Sequence, residues 1–415
     1  MSHLAESVLE RFLRYVRIDT QSDFTAPGYP TTPKQWDLLR LLKTELEEMG
    51  ASDVSIDEHG YVMATVPATT TKAGVPTIGF IAHVDTSPEM SGTNVVPLVH
   101  RNYPGGPIQL PDDPTAVLTL ENSPELAGSV GHDLVTSSGS TLLGADDKAG
   151  VAEIMTGVEY LLAHPEIPHG EIRVGFTPDE EVGRGTEFFS VERFGARYAY
   201  TLDGGGHGCV EAETFSADSL SVTFVGFNTH PGYAKGKLVN SIKIAADFLS
   251  RLPKDRLSPE TTEDYEGYVH PNVIHSGVER TTVDLLIRDF TREGLAEKER
   301  WLTELAQATV ADWPGSSCSV VVKESYRNMR EVLDHHPQVV ASAEEAMGRL
   351  GLPLKKKPIR GGTDGSKLSF MNLPTPNLAS GQHNIHSRLE WADVWEMEQA
   401  VRVMVEIAKI YEERG

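Results

Sequence analysis

The run Pro76-Thr-Ile-Gly-Phe-Ile-Ala-His-Val-Asp85 does most to constrain the fold, because it is nearly all apolar until it ends in His83 and Asp85. A strand with no polar face has to be covered on both sides, which is the setting of a central strand in a helix-flanked sheet. Two further runs repeat the theme, Glu171-Ile-Arg-Val-Gly-Phe-Thr177 and Tyr198-Ala-Tyr-Thr-Leu-Asp203. Ahead of them Val151, Ile154, Met155, Val158, Leu161 and Leu162 recur at the period of a helix with one buried face. Strand, helix, strand at this spacing predicts an α/β fold with a mostly parallel sheet flanked by helices.

The flanking helices have signals of their own. Val8, Leu9, Phe12, Leu13 and Val16 form one apolar stripe. Thr32-Pro-Lys-Gln35 reads as a capping box for a second helix, running through Leu38, Leu39, Leu42, Leu46 and Met49 to Gly50. From Ser87 to Gly139 the chain is rich in Pro, Gly, Asp and Asn and predicts a long excursion with small strands. Near residue 216 the order becomes β-α-β-β-α-β, a small sheet with two helices on one face: an inserted α+β, ferredoxin-like domain. After about residue 330 the α/β pattern resumes and ends in a helix carrying Val394, Met397, Val401, Met404 and Ala408. The expected domains are 1–215 together with 330–415, and 216–329 between them.

A formal net charge of −23 argues against nucleic acid or an anionic membrane as partner. The two cysteines, Cys209 and Cys318, build neither a thiolate zinc cluster nor a disulfide framework, which fits a reducing cytosol. No stretch approaches the roughly 18 continuous apolar residues of a membrane span, so a cytoplasmic protein is expected. Gly-x-Ser-x-Gly is absent, and Gly361-Gly-Thr-Asp-Gly365 lacks the lysine of a phosphate loop.

Polar residues cluster where the apolar runs end. His83 and Asp85, two apart in a strand, share a face at the sheet end where ligands bind, one as metal ligand and one as its orienter. Taken alone, a structural histidine is the simpler reading. Asp146 and Asp147 sit where Thr141-Leu-Leu-Gly-Ala gives way to the helix, whose N-terminus favours negative charge. A single aspartate there would be a cap. Asp179, Glu180 and Glu181 follow the second strand, and a solvated turn is the plain alternative. Asp203 ends the third strand before Gly204, Gly205 and Gly206. In Gly381-Gln-His-Asn-Ile-His-Ser-Arg-Leu-Glu-Trp391 either His383 or His386, with Glu390 near, offers a last ligand. Imidazoles and carboxylates without thiolate suit zinc. His83, Asp146, Glu181, Asp203 and His386 are too many for one catalytic zinc and suffice for two if one carboxylate bridges. Glu180 is then free as general base.

In their order these motifs resemble the zinc metallopeptidase family that includes glutamate carboxypeptidase, aminoacylase and succinyl-diaminopimelate desuccinylase. The resemblance covers nearly the whole chain, with Gly79 to Pro88, Thr141 to Gly150, Phe176 to Gly183, Thr201 to Gly206 and Pro358 to Gly365 as its most distinctive pieces. It implies two Zn²⁺ ions per subunit bridged by Asp146 and a water or hydroxide. His83 and Asp203 would complete one ion, Glu181 and His386 the other, with Glu180 the general base and Asp85 orienting His83. It further implies a cis peptide at Asp146–Asp147. The inserted domain resembles the family's lid, which can also form a homodimer. His230, in Asn228-Thr-His-Pro-Gly232, matches a histidine that reaches the scissile carbonyl. Asn240, Arg288 and Arg360 match substrate-binding positions, the arginines suited to a peptide carboxylate. Leu389 departs from the pattern, standing where a second histidine is expected. The implied activity removes the N-terminal residue from short peptides with a free N-terminus, tripeptides foremost. A dipeptidase, carboxypeptidase or N-acyl-amino-acid amidohydrolase is the alternative within the family. A non-catalytic peptide-binding protein is the alternative outside it, against which the presence of the base and every ligand speaks.

Overall fold

In the computed structural model, which describes residues 2–415, the run ending at His83 becomes the strand Ile78–His83 inside a seven-stranded sheet. The strand order is Ser52–Ile56, Val62–Val66, Ile172–Thr177, Ile78–His83, Tyr198–Gly204, Asn377–Ala379, Val210–Glu211. Ile78–His83 pairs in parallel with both neighbours, and Asn377–Ala379 in parallel with Tyr198–Gly204. The outer pairings are antiparallel. The sheet is therefore mixed, parallel in the centre and antiparallel toward the edges, where the short connection 57–61 can only reverse the chain between Ser52–Ile56 and Val62–Val66.

Alternation along the central strand feeds two cores. Ile78, Phe80 and Ala82 join the main core, while Ile81 belongs to a second one with Tyr61, Phe189, Phe194, Leu368 and Leu373. Gly79 is needed between them, because a Cβ there would lie 2.4 Å from the Phe194 ring. The helix Ala145–Ala163 packs on Ile78–His83 and Tyr198–Gly204 and is covered by His3–Tyr15 and Val394–Arg414. It is buried almost all round rather than on one face. Ala149, Gly150, Ala152 and Gly157 carry no apolar signal of note, yet they let neighbours approach from every side.

Other expectations are met or redirected. Gln35–Met49 ends at Gly50 in the left-handed conformation, as its sequence predicts. The capping box does not form, because Thr32 donates to the Gln21 carbonyl (2.7 Å) and the Gln35 amide is engaged by Asp179. The excursion after Ser87 contributes Leu98–His100 and Leu134–Thr136 to a small antiparallel sheet with Trp391–Asp393 and Gln382–His383. No helix among the described residues is long and apolar enough to cross a membrane.

The chain falls into two units. The one just described holds residues up to Ala212, Met329–Lys357 and Thr363–Gly415. The other comprises Glu213–Asn328 and Pro358–Gly362. Its elements run Ser216–Val225, helix Ser241–Ser250, Tyr268–Ser276, Arg280–Asp289, helix Arg292–Ala311 and Ser317–Tyr326. All pairings in its four-stranded sheet are antiparallel, with Ser216–Val225 and Arg280–Asp289 in the middle. Leu220, Val222, Phe224, Val283, Leu285 and Ile287 alternate onto the helix-covered face, where Phe248 and Leu302 meet them.

Candidate metal centre

Three acid-bearing segments meet where Ile78–His83, Ile172–Thr177 and Tyr198–Gly204 end, the side of an α/β sheet where ligands bind. The two aspartates at the start of the long helix divide the work. Asp147 is the cap: its Oδ1 accepts from the Gly150 N–H (3.2 Å) and its Oδ2 from the His83 N–H (3.2 Å). Asp146, joined to it by a cis peptide bond, points elsewhere. Its Oδ1 lies 3.0 Å from His83 Nε2 and its Oδ2 3.3 Å from His386 Nε2. Asp203 Oδ1 is 3.8 Å from His83 Nε2, and Glu181 Oε2 is 2.8 Å from His386 Nε2. Two groups of potential ligands result, His83–Asp146–Asp203 and Asp146–Glu181–His386, with atoms in each within 4.8 Å of one another. The structure thus brings together all five residues that the sequence singled out as ligands.

Their electrostatics ask for a cation. Burial disfavours the protonated imidazoles, yet hydrogen bonds to the carboxylates raise His83 well above its ordinary value and push His386 up to about 12. Burial, with the charge of Asp146, pushes Asp203 up to about 6 and Glu181 up to about 8. Burial acts on Asp146 too, but hydrogen bonds from both imidazoles hold it below the usual carboxylate range. Glu181 Oε1 is buried with no hydrogen-bond partner among the described residues. Carboxylates that must share protons with imidazoles, and one orphaned oxygen, are satisfied better by a metal ion. Deprotonated carboxylate and neutral imidazole are its natural ligands, so the donor set fits a metal centre.

A surrounding layer fixes these groups. Asp85 lies 3.3 Å from His83 Nδ1, and its two oxygens accept from the N–H groups of Glu180 (2.9 Å) and Glu181 (3.2 Å). It therefore holds the glutamate turn as well as the imidazole. Asp179 is an anchor: it accepts from Thr31 N–H (2.7 Å) and Gln35 Nε2 (2.7 Å), and donates its own N–H to Gln35 Oε1 (3.1 Å). Glu180, half-buried, accepts from the Asp364 N–H (3.1 Å), while Asp364 Oδ2 takes the Thr177 hydroxyl (2.8 Å). Gln382 Nε2 donates to Asp203 Oδ1 (3.2 Å). Glu390 accepts from Leu143, Gly144 and Asp146 N–H groups (2.7, 2.8 and 3.0 Å), and burial still pushes it up to about 7. Of the two histidines in this segment, His386, the one the resemblance implies, faces the other potential ligands. His383 stacks on Trp391 (4.0 Å) and reaches Glu396 (2.9 Å). Asp364, Gln382 and the anchoring roles of Asp179 and Glu390 escaped the sequence reading, since no local pattern marks them.

The four substrate-binding candidates belong to the second unit. His230 is exposed and accepts from the Gly232 N–H through Nδ1 (3.1 Å). Asn240 caps the helix Ser241–Ser250, its Oδ1 accepting from Ile242 N–H (2.9 Å). Arg288 lies over the Tyr326 ring and donates to the Ile287 carbonyl (3.0 Å). Arg360 donates to the carbonyls of Asp264 and Glu266 (2.8 Å each) and lies over Phe215, so in this conformation it holds the loop 262–266.

Residues 143–410 match the group described as Peptidase family M20/M25/M40, and the chain belongs to that family. Similarity extends over the full length to one of its particular members. The Peptidase T of Geobacillus thermodenitrificans (strain NG80-2) is 49% identical over 411 residues, 99% of this chain and 100% of that protein. Among solved structures, the aminopeptidase PepT from Bacillus cereus ATCC 10987 shares the fold with a TM-score of 0.75 at 24% identity, covering 98% of each chain. A dinuclear metal binding peptidase of Bacillus subtilis does so with a TM-score of 0.67 at 15% identity over 99% of each.

Proposed function

We propose that the chain is a two-zinc aminopeptidase that removes the N-terminal residue from short peptides, tripeptides foremost. The observation that carries this reading is Asp146, whose two oxygens face two different histidines at 3.0 and 3.3 Å. A carboxylate so placed would be able to hold two cations at once, and a full-length relative bears the name Peptidase T. His83 and Asp203 would complete one ion and Glu181 and His386 the other, zinc being the metal such nitrogen and oxygen donors favour. When bound, two such ions lower the pKa of a water toward about 7 and polarise a carbonyl.

The chain's own groups supply the rest. Glu180 takes the proton of the attacking water and returns it to the departing amine nitrogen. Burial, with the charges of Asp364, Asp203 and Glu181, raises its pKa well above the ordinary value, as a group that must both accept and return a proton requires. Asp85 keeps both the glutamate turn and His83 in place. His230, Asn240, Arg288 and Arg360 are the second unit's candidates for gripping the peptide, Arg288 for its carboxylate. Glu180→Ala should lower turnover of a free tripeptide about 10²- to 10⁴-fold while leaving bound metal at the parent's level. Normal turnover by that variant contradicts the mechanism. N-acetylation of the same tripeptide should abolish cleavage; equal cleavage of the blocked peptide would favour an amidohydrolase.

A further inference from the structure

His386 presents Nε2 to Glu181 and Asp146, and its other nitrogen meets a residue with no role so far. Glu89 Oε2 lies 3.1 Å from His386 Nδ1. We propose that Glu89 is the positioning residue of His386: it accepts a hydrogen bond from Nδ1–H, which keeps the proton on Nδ1 and so leaves Nε2 as the lone-pair donor toward a metal ion. The proposal rests on reading His386 as a ligand.

Packing alone does not hold this ring. His386 stands in the connection 384–390 between two short antiparallel strands, at a φ of +59°, with its side chain 33% exposed. His83, by contrast, ends a buried strand and is 3% exposed, with Asp85 at its Nδ1. A loop-borne imidazole can turn or take its proton on either nitrogen. A carboxylate on Nδ1 removes both freedoms and makes the ring a stronger donor. Asp85 and Glu89 therefore play matching parts, one from the interior and one from the surface.

A glutamate that is itself 60% exposed would ordinarily be a poor support, since holding a surface ion pair costs side-chain freedom. Here its carrier is fastened on both sides. The Gln21 side-chain amide donates to the carbonyls of Ser87 (3.1 Å) and Met90 (2.8 Å). The Ser22 N–H donates to the Thr86 carbonyl (3.1 Å) and the Thr86 N–H to the Thr20 carbonyl (3.4 Å). The Glu89 N–H donates to Ser87 Oγ (3.4 Å). The backbone on either side of Glu89 is tied to the segment 20–22, and only the side chain's own torsions remain to be set by the imidazole.

Zinc alone is the probe: the chelator-stripped full chain is titrated with Zn²⁺ against a chromophoric chelator. Parent, Glu89→Ala, Glu89→Gln and His386→Ala chains are compared, and the unfolding midpoints of their zinc-free forms measured. Glu89→Ala should bind one of two zinc equivalents about 10- to 100-fold more weakly and melt with the parent when zinc-free. Glu89→Gln should recover part of that loss, because its amide oxygen still accepts the Nδ1 proton. His386→Ala should lose one equivalent. If His386→Ala titrates like the parent, the ligand reading itself fails. If His386→Ala loses an ion and the Glu89→Ala curve coincides with the parent's, His386 remains a ligand and the proposal for Glu89 is overturned.

Discussion

Glu390 shows how much of the site is held by groups that never face it. Its two oxygens accept three buried backbone N–H groups, from Leu143, Gly144 and Asp146, at the turn that presents Asp146. Each buried donor left without an acceptor costs about 1–3 kcal/mol. Glu390→Ala should therefore lower the unfolding free energy of the zinc-free chain by about 3 kcal/mol in urea titration; a loss under about 1 kcal/mol would show that water or relaxation replaces the carboxylate. The candidate ligands were legible in the sequence, because His83, Asp146, Glu181 and Asp203 each stand at or just after the end of an apolar run, where polar residues are conspicuous. The supports were not. Asp364 and Thr177 are 187 positions apart, and Glu390 and Leu143 are 247 apart, so no window along the chain contains both partners. Reading the residues alone left His383 and His386 open and only the resemblance chose His386, since both lie in one segment; in the structure His383 is taken by Trp391 and Glu396.

Between elements, the fit of the long helix onto the sheet is the tightest constraint. A Cβ on Gly150 would lie 1.9 Å from the Leu202 carbonyl oxygen, one residue before Asp203. Gly150→Ala must push helix from strand and should cost about 3 kcal/mol, with weakened zinc binding alongside. Gly348 is exposed in the helix Pro337–Arg349, and a Cβ there would meet nothing within 4 Å. It makes the control of opposite sign: Gly348→Ala should raise stability by about 0.5–1 kcal/mol. Period and burial made the helices and central strands readable. What periodicity missed, the burial of Ala145–Ala163 on all sides, comes from small residues that hydropathy ranks as neutral. In the second unit, burial and a hydrogen bond to Asp218 push Glu299 up to about 7, against the opposing charge of Arg327. A raised carboxyl means that the native form holds more protons than the unfolded chain between the ordinary value and about 7. The stability it contributes is present at low pH and lost as pH rises through that window. Glu299→Gln should flatten this part of the profile, read as a smaller fall in urea midpoint between about pH 5 and about pH 8 than the parent shows. An identical fall in both would remove the assignment.

For the molecule as a whole, four side chains between positions 83 and 386 converge on one aspartate, Asp146, in a chain whose formal charge of −23 leaves it rich in carboxylates. Their convergence, not their number, is what the sheet provides: its central strands end side by side, and the small antiparallel sheet delivers His386 to the same place. Binding to the native form alone stabilises it, so zinc at about 100 times its dissociation constant should add about 2.7 kcal/mol per site and chelation should remove it. The most direct measurement is anomalous X-ray diffraction at the zinc edge from crystals of the chain prepared without chelator. Two peaks about 3.5–4 Å apart are expected, both touching Asp146, one also held by His83 and Asp203 and the other by Glu181 and His386. A single peak, or none within reach of Asp146, would contradict the two-zinc reading.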